Sequence, residues 1–343
     1  MSKFNKTGLI SIFPELGQQL LHPNEQFLEI ITSEYQYNAW FTPQNVLNAV
    51  TNIGRMLNSP DLTVWLNRYN LDKNKAGKKV GLILAGNIPL VGFHDVLCVL
   101  VTGNIALIKS SSNDARLIKH ILQILVSIEP AFKDQFSFVE RLKDFDAVIA
   151  TGSNNTSRYF EYYFGKVPHI IRKNRSSIAL LTGTETEEQI VALGHDIFDY
   201  YGLGCRNVSK LLLPKGYDFH LFYEPLESYQ EVINHHKYSN NYSYNRSIYL
   251  VNSDEHLDNG FLLLKEDKKL ASPLAVLYYE YYEDLQSAQN LLNEQSDNIQ
   301  CIVSDVPLTV SNQVVGFGMS QQPPLWDYAD GIDTMEFLST ING

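Results

Sequence analysis

Three cysteines in 343 residues, at Cys98, Cys205 and Cys301, are too few and too scattered for a disulfide framework. A reducing, cytoplasmic setting is the expectation that follows. No run of about 18 apolar residues occurs, so no membrane-spanning helix is expected. The opening stretch MSKFNKTGLISIFPELGQQ lacks an unbroken apolar segment and a small-residue cleavage site, which reads against a signal peptide. Positive charge is scarce as well: 27 Lys and Arg against 38 Asp and Glu give a formal net charge of −11. That balance excludes general nucleic-acid binding, which needs a basic face to neutralise phosphates. It also obliges any polyanionic ligand to find a local basic or backbone-donor site against a repulsive background. None of the nine histidines has partners at metal-ligand spacing, so no metal site is expected. Neither a G-x-S-x-G elbow nor a P-loop is present.

What is there is an ordinary globular composition, 44% hydrophobic and 19% charged, on a chain long enough for two domains. Residues 1–77 read as mainly helical. Residues 79–84 (KVGLIL) form a short apolar run bounded by Gly86 and Pro89, the pattern of a buried strand. A helix is expected over 90–101 and a second strand over 104–108. A second helix, over 114–128, is expected to take Ser112 or Asn113 as its cap. A strand over 146–150 and a helix over 157–164 complete a strand–helix alternation, which predicts a parallel doubly wound sheet. Ligands then belong beyond the carboxyl ends of those strands, at the turns holding Gly86, Lys109 and Gly152.

A second unit is expected from the strand 177–181 onward, with helices over 187–201 and 217–233 and strands over 208–213, 247–251, 274–279 and 300–304. The polar stretch His235–Asn245 reads as a loop. Twenty tyrosines are conspicuous, notably Tyr278-Tyr279 and Tyr281-Tyr282; at strand periodicity one of each pair faces a core. His94 reads as a satisfied structural histidine.

Cys205 stands between two upstream glycines, Gly202 and Gly204, and Arg206-Asn207 downstream. An ordinary thiol has a pKa near 8.5 and is about a few per cent thiolate at neutral pH. An adjacent Arg206 would favour the thiolate, and the glycines would let a substrate approach the backbone. The competing reading is a small core residue. That reading suits Cys98 and Cys301, which lie in apolar runs.

The run GLILAGNIPLVGFHDVLCVLVTGNIALIKSSSND resembles the cofactor-domain signature of the aldehyde-dehydrogenase superfamily. More closely, it resembles the fatty acyl-CoA reductase branch known from bacterial bioluminescence. Four pieces follow in the family's order. Ala85–Pro89 resembles the segment of the oxyanion-hole asparagine, here Asn87, and Gly103-Asn104 followed by Lys109 resembles the cofactor-ribose lysine segment. Ala150–Ser153 is similar to the turn near the cofactor diphosphate, and Gly202–Cys205 to the nucleophile loop. Ala271-Ser272-Pro273 is a weaker fifth match. The resemblance implies an aldehyde-dehydrogenase-like α/β fold: a Rossmann-like cofactor domain over 1–177 and a catalytic cysteine domain over 178–312, with 313–343 packing back on the first.

The implied reaction is reduction of an acyl-CoA thioester to an aldehyde through an S-acyl-Cys205 intermediate, with Asn87 and the Cys205 amide as oxyanion donors. Lys109, Ser112, Gly152 and Ser153 are the implied cofactor residues. Where aldehyde-oxidising relatives carry a Glu-Leu-Gly-Gly segment, this chain has Arg172-Lys173-Asn174-Arg175-Ser176-Ser177. No carboxylate stands there to activate water, which fits acyl exchange with CoA better than hydrolysis. Arg172 and Arg175, with Arg206, are the candidate cationic residues for the substrate. Where NAD-preferring relatives often carry a glutamate three residues after the lysine, this chain has Ser112. A serine does not repel a 2′-phosphate, so NADPH is the expected cofactor and NADH the alternative. The chain is shorter than typical superfamily members and shows no evident oligomerisation hairpin, so no oligomeric state is carried over. Rival readings are an acyl-phosphate reductase of the same superfamily, and a non-catalytic relative that binds acyl-CoA or docks an acyl-transferring partner protein.

Overall fold

A computed structural model describes residues 5–71 and 77–341. The expected helical stretch 1–77 and the returning segment 313–343 each include residues outside that range. The chain divides into two compact units, Met1–Lys173 with Pro323–Gly343, and Asn174–Gln322.

The first unit opens with four helices: α1 (Lys6–Leu21), α2 (Glu25–Ser33), α3 (Pro43–Met56) and α4 (Ser59–Asn67). Asn5, Asn24, Thr42 and Asn58 each accept a hydrogen bond from the backbone N–H three residues on. Each thereby satisfies a donor that helix geometry leaves unpaired. The α/β part follows as β1 (Lys79–Ile83), α5 (Phe93–Val101), β2 (Ile105–Lys109), α6 (Arg116–Ile128), β3 (Phe136–Phe138), β4 (Ala147–Thr151), α7 (Asn154–Phe164) and β5 (His169–Arg172). The sheet is all parallel in the order β3-β2-β1-β4-β5. The chain therefore winds outward from β1 in one direction and then in the other, and the crevice for a ligand opens where the order reverses. Ile83 of β1 is level with Lys109 of β2 and Ala150 of β4, so the carboxyl ends of the three central strands share one edge.

The C-terminal segment belongs to this unit. Leu325, Met335 and Leu338 are fully buried in the same core as Val80, Leu97 and Trp65. The Trp65 indole donates to the Tyr328 hydroxyl at 2.7 Å, and the Tyr69 hydroxyl donates to Asp333 at 2.7 Å. His94 Nε2 lies 2.9 Å from the Leu325 carbonyl, and burial lowers the imidazole pKa, as suits a structural histidine.

The second unit runs β6 (Ser176–Leu180), α8 (Glu187–Phe198), β7 (Val208–Pro214), α9 (His220–Leu226), α10 (His236–Asn252), β8 (Leu257–Asp258), β9 (Leu263–Glu266), β10 (Val276–Tyr282), α11 (Leu285–Glu294), β11 (Ile299–Val303) and β12 (Val314–Val315). Its sheet has the order β12-β11-β6-β7-β10-β9-β8, with only the β8–β9 pair antiparallel.

Several expectations are corrected. The polar stretch 235–245 is not a loop and 247–251 is not a strand; His235 caps α10, and the rest of both stretches lies within it. Its buried residues are Tyr238, Tyr242, Asn245 and Tyr249, a helical repeat written in tyrosine and asparagine instead of aliphatics. The Tyr238 hydroxyl donates to the Phe261 carbonyl at 3.0 Å, and Tyr242 to Asp258 at 2.6 Å. The Asn245 amide donates to the Leu274 carbonyl at 2.9 Å. Ser112 and Asn113 do not cap α6, which starts after Ala115; they remain in the preceding loop. The boundary falls at 173/174 and not at 177, because Ser176 and Ser177 pair with Ile299 and Val208 in the second sheet. The returning segment starts at Pro323 and not at 313. Val314 and Val315 pair with β11, and the Gly318 and Ser320 amides donate to Asp196 at 2.6 and 2.9 Å.

Candidate active site

In the first unit the candidate residues converge on the carboxyl edge of the sheet. Lys109 ends β2 with its side chain exposed. Ser112 is exposed in the turn that follows. Beyond β1 the chain passes Gly86 and Asn87 before α5, and Asn87 is exposed. A Cβ on Gly86 would lie 2.5 Å from the Ser111 side chain, so the loops after β1 and β2 touch only because residue 86 has none. Beyond β4, Ser153 caps α7 by accepting from the Thr156 amide at 3.3 Å. The α7 N-terminus thus sits at the same strand edge as Lys109, and amide dipoles there favour an anion. A Cβ on Gly152 would come 2.9 Å from the Phe160 ring, so packing by itself requires glycine there. A cation, a hydroxyl and a helix N-terminus along one sheet edge are a donor set that fits the phosphates and ribose of a dinucleotide.

The turn carrying Asn87 has its own support. Leu90 adopts φ 58°, a left-handed conformation unusual for a residue with a side chain. Its amide donates to Asp114 Oδ2 at 2.6 Å. Burial pushes the Asp114 carboxyl up to about 8, the Leu90 N–H acting in the opposite sense.

In the second unit Cys205 is exposed while Cys98 and Cys301 are buried. It lies at the amino end of β7, in a turn closed by the Asn207 amide donating to the Gly204 carbonyl at 3.0 Å. The Asn207 side chain staples this turn. Its Oδ1 accepts from the Gly204 amide at 2.8 Å, and its Nδ2 donates to the Asp196 and Asp199 carbonyls at 3.1 and 2.8 Å. Ser177 Oγ donates to the Cys205 carbonyl at 2.9 Å and lies 3.2 Å from Cys301 Sγ. Upstream, Tyr200, Tyr201 and Gly202 are successive left-handed residues, with φ 54°, 59° and 76°. Holding two tyrosines there costs about 1–3 kcal/mol each. The Tyr201 ring lies 4.2 Å from the His235 ring, one of the contacts that hold the kink.

The cationic residues separate. Arg172 is corrected as a solvent-facing ligand: it is 4% exposed, ion-paired with Asp95 and hydrogen-bonded to Thr334 Oγ1 at 2.9 Å. Its charge is neutralised inside the first unit, joining α5, β5 and the C-terminal helix Thr334–Thr340. Arg175 donates to the Ile299 carbonyl at 3.2 Å. Arg206 reaches Gln313 Oε1 at 3.3 Å and the Ser320 carbonyl at 3.4 Å, toward the segment anchored on Asp196. Sequence reading missed Asn207, Ser177, Asp196 and Asp114 as supports. Only Asn207 carried a signal, its place two residues after the cysteine. Among the described residues no group of His, Cys, Asp and Glu could hold a metal ion, and no helix is long and apolar enough to cross a membrane.

Two units, a doubly wound parallel sheet and a strand-entry cysteine place the chain in the aldehyde-dehydrogenase fold class. Solved structures share that fold. Aldehyde dehydrogenase KauB from Pseudomonas aeruginosa matches with TM-score 0.68 at 12% identity, over 97% of this chain and 82% of that one. Aldehyde dehydrogenase 21 from Physcomitrella patens, solved with the product succinate, matches with TM-score 0.67 at 12% identity, over 99% and 84%. The P. syringae indole-3-acetaldehyde dehydrogenase AldA, solved as a mutant with NAD+, matches with TM-score 0.64 at 11% identity, over 92% and 73%. No curated protein sequence matches the chain. The acyl-CoA reductase (LuxC) family model matches residues 23–216, more than half of the chain, and the protein belongs to that family. It is thus an oxidoreductase of the acyl and aldehyde class.

Proposed function

We propose that the protein reduces an acyl-CoA, of the fatty acyl class, to its aldehyde through a thioester on Cys205, with NADPH as the reductant. The observation that carries this reading is the exposure of Cys205 on a turn whose backbone is fixed by Asn207 and Ser177. A nucleophile needs access to the carbonyl and a fixed attack direction, and both are properties of this loop.

The Cys205 thiolate adds to the thioester carbonyl, and the electron pair moves onto oxygen. Collapse of that oxyanion expels CoA as its thiolate, which solvent protonates, and leaves the acyl group on Cys205. A nicotinamide cofactor, when bound, supplies the hydride. Cys205 then leaves as thiolate when the second oxyanion collapses to aldehyde. Asn87 and the Cys205 amide serve as the oxyanion donors; removing one such donor typically costs about 2.7–4 kcal/mol of barrier. Lys109, Ser112 and the α7 N-terminus with Gly152 and Ser153 hold the cofactor's ribose and phosphates. A hydroxyl at Ser112 leaves room for a 2′-phosphate.

Intact-protein mass after incubation with a panel of acyl-CoAs, without nucleotide, tests the proposal. A gain of one acyl group, absent in Cys205→Ala and discharged by NADPH, is the expected result. A folded protein that gains no mass from any acyl-CoA would sink it. An adduct formed only from acyl phosphates would replace it with the acyl-phosphate reading.

A further inference from the structure

The turn that presents Asn87 is built around an unfavourable backbone. Leu90, three residues on, is 4% exposed and left-handed, a state that residues with a side chain rarely adopt. Its carbonyl accepts from Phe93 at 2.9 Å, closing the turn that leads into α5, while its amide donates to Asp114 Oδ2 at 2.6 Å. Asp114 is itself only 5% exposed, and its Oδ1 has no hydrogen-bond partner among the described residues. One carboxyl oxygen thus faces one backbone amide, out of water, where an unmade bond carries the full desolvation penalty of the donor. The second contact between these loops is Gly86 against Ser111, on the other side of Asn87 in sequence.

We propose that Asp114 is a positioning residue: by accepting the Leu90 amide it fixes the turn, and hence the direction, of Asn87. The inference rests on the oxyanion role proposed for Asn87. The charged groups facing Asp114 include Glu34, which is 1% exposed and ion-paired with Arg116 at 3.1 Å. With burial and Glu34 both disfavouring a second negative charge, Asp114 acts at neutral pH as a neutral acceptor. An amide of the same shape can do that work.

The experiment follows acylation of Cys205 by an acyl-CoA in a single turnover without nucleotide, in Asp114→Ala, Asp114→Asn and each combined with Asn87→Ala. Misplacing a catalytic group by an ångström costs on the order of a hundredfold, so Asp114→Ala is expected to slow acylation by roughly ten- to a hundredfold. Asp114→Asn is expected to recover most of that rate, and Asp114→Ala to cost nothing further in the Asn87→Ala background. Amide exchange over residues 84–93 is expected to speed up in Asp114→Ala and not in Asp114→Asn. Equal losses in the two Asp114 variants, a further loss in the Asn87→Ala background, or unchanged exchange would each overturn the inference. Wild-type protein that acylates normally while Asp114→Ala does too sinks this inference alone. Wild-type protein that never acylates sinks the functional reading, and this inference with it.

Discussion

At the scale of single residues, the turns that carry Cys205 and Asn87 are each held by side chains bonded to their backbone, Asn207 and Ser177 for the first and Asp114 for the second. Cys205 and Asn87 belong to residue types whose chemistry is readable, and each stands beside glycine or proline that marks an exposed turn. Asn207, Ser177 and Asp114 act through backbone groups brought near by folding, and a backbone acceptor leaves no trace in spacing. Arg172 shows the opposite error. Beside Lys173 and Arg175 it reads as part of a basic patch, yet its partner Asp95 lies 77 positions away. Asn207→Ala removes three hydrogen bonds from the turn that carries Cys205. A loss of about 1–3 kcal/mol is expected for the buried groups left unpaired, seen as a lower thermal midpoint together with slower acylation of Cys205. Unchanged acylation in that variant would remove Asn207 from the site. Ser112→Glu places a carboxylate where a 2′-phosphate would lie. It should raise KM for NADPH roughly tenfold or more while sparing NADH, a discrimination worth about 1.4 kcal/mol per decade; equal effects on both would contradict the assignment of Ser112 to the ribose.

At the scale of elements, the central strands and the helices between them followed from apolar runs bounded by turns, since β1 and β4 are buried on both faces and β2 alternates buried with partly buried residues. The elements that escaped were those whose burial does not depend on aliphatic residues, or that are short. β3 and β5 are edge strands of three and four residues, and α10 buries Tyr238 and Tyr242, whose hydroxyls keep hydrogen bonds. The C-terminal helix is tied to α5 and β5 by the Asp95–Arg172–Thr334 cluster. Asp95 is 6% exposed, so Asp95→Ala leaves a buried guanidinium without its counter-ion, at an expected cost of about 3–5 kcal/mol. Chemical denaturation should show that loss, and proteolysis after residue 322 should release the C-terminal segment sooner. A variant as stable as wild type would mean that Arg172 finds another anion.

At the scale of the molecule, the two units carry buried carboxyls that titrate in the same sense. In the first, burial pushes Asp114 up to about 8; in the second, burial raises the Asp196 carboxyl against the pull of the Ser320 and Gly318 donors. A carboxyl whose folded pKa lies above its unfolded value binds its proton more tightly when folded. Its contribution to stability is therefore complete below the unfolded value of 3.8 and fades as pH rises through the folded one, near 8 for Asp114. His94 works at the acid end, because burial lowers its pKa and the unfolded chain takes up that proton first. Its contribution is present above the usual imidazole range and lost as pH falls through the lowered value. The net charge of −11 adds self-repulsion that grows as these acids ionise. The protein should therefore lose stability between pH 6 and 9, and the first unit should lose it through Asp114 in particular. Asp114→Asn keeps the acceptor for Leu90 and removes the titration. The difference in thermal midpoint between this variant and wild type is expected to widen in the variant's favour from pH 6 to pH 9. A difference that stays constant across that window would show that Asp114 is ionised throughout, and that the Leu90 amide binds a carboxylate.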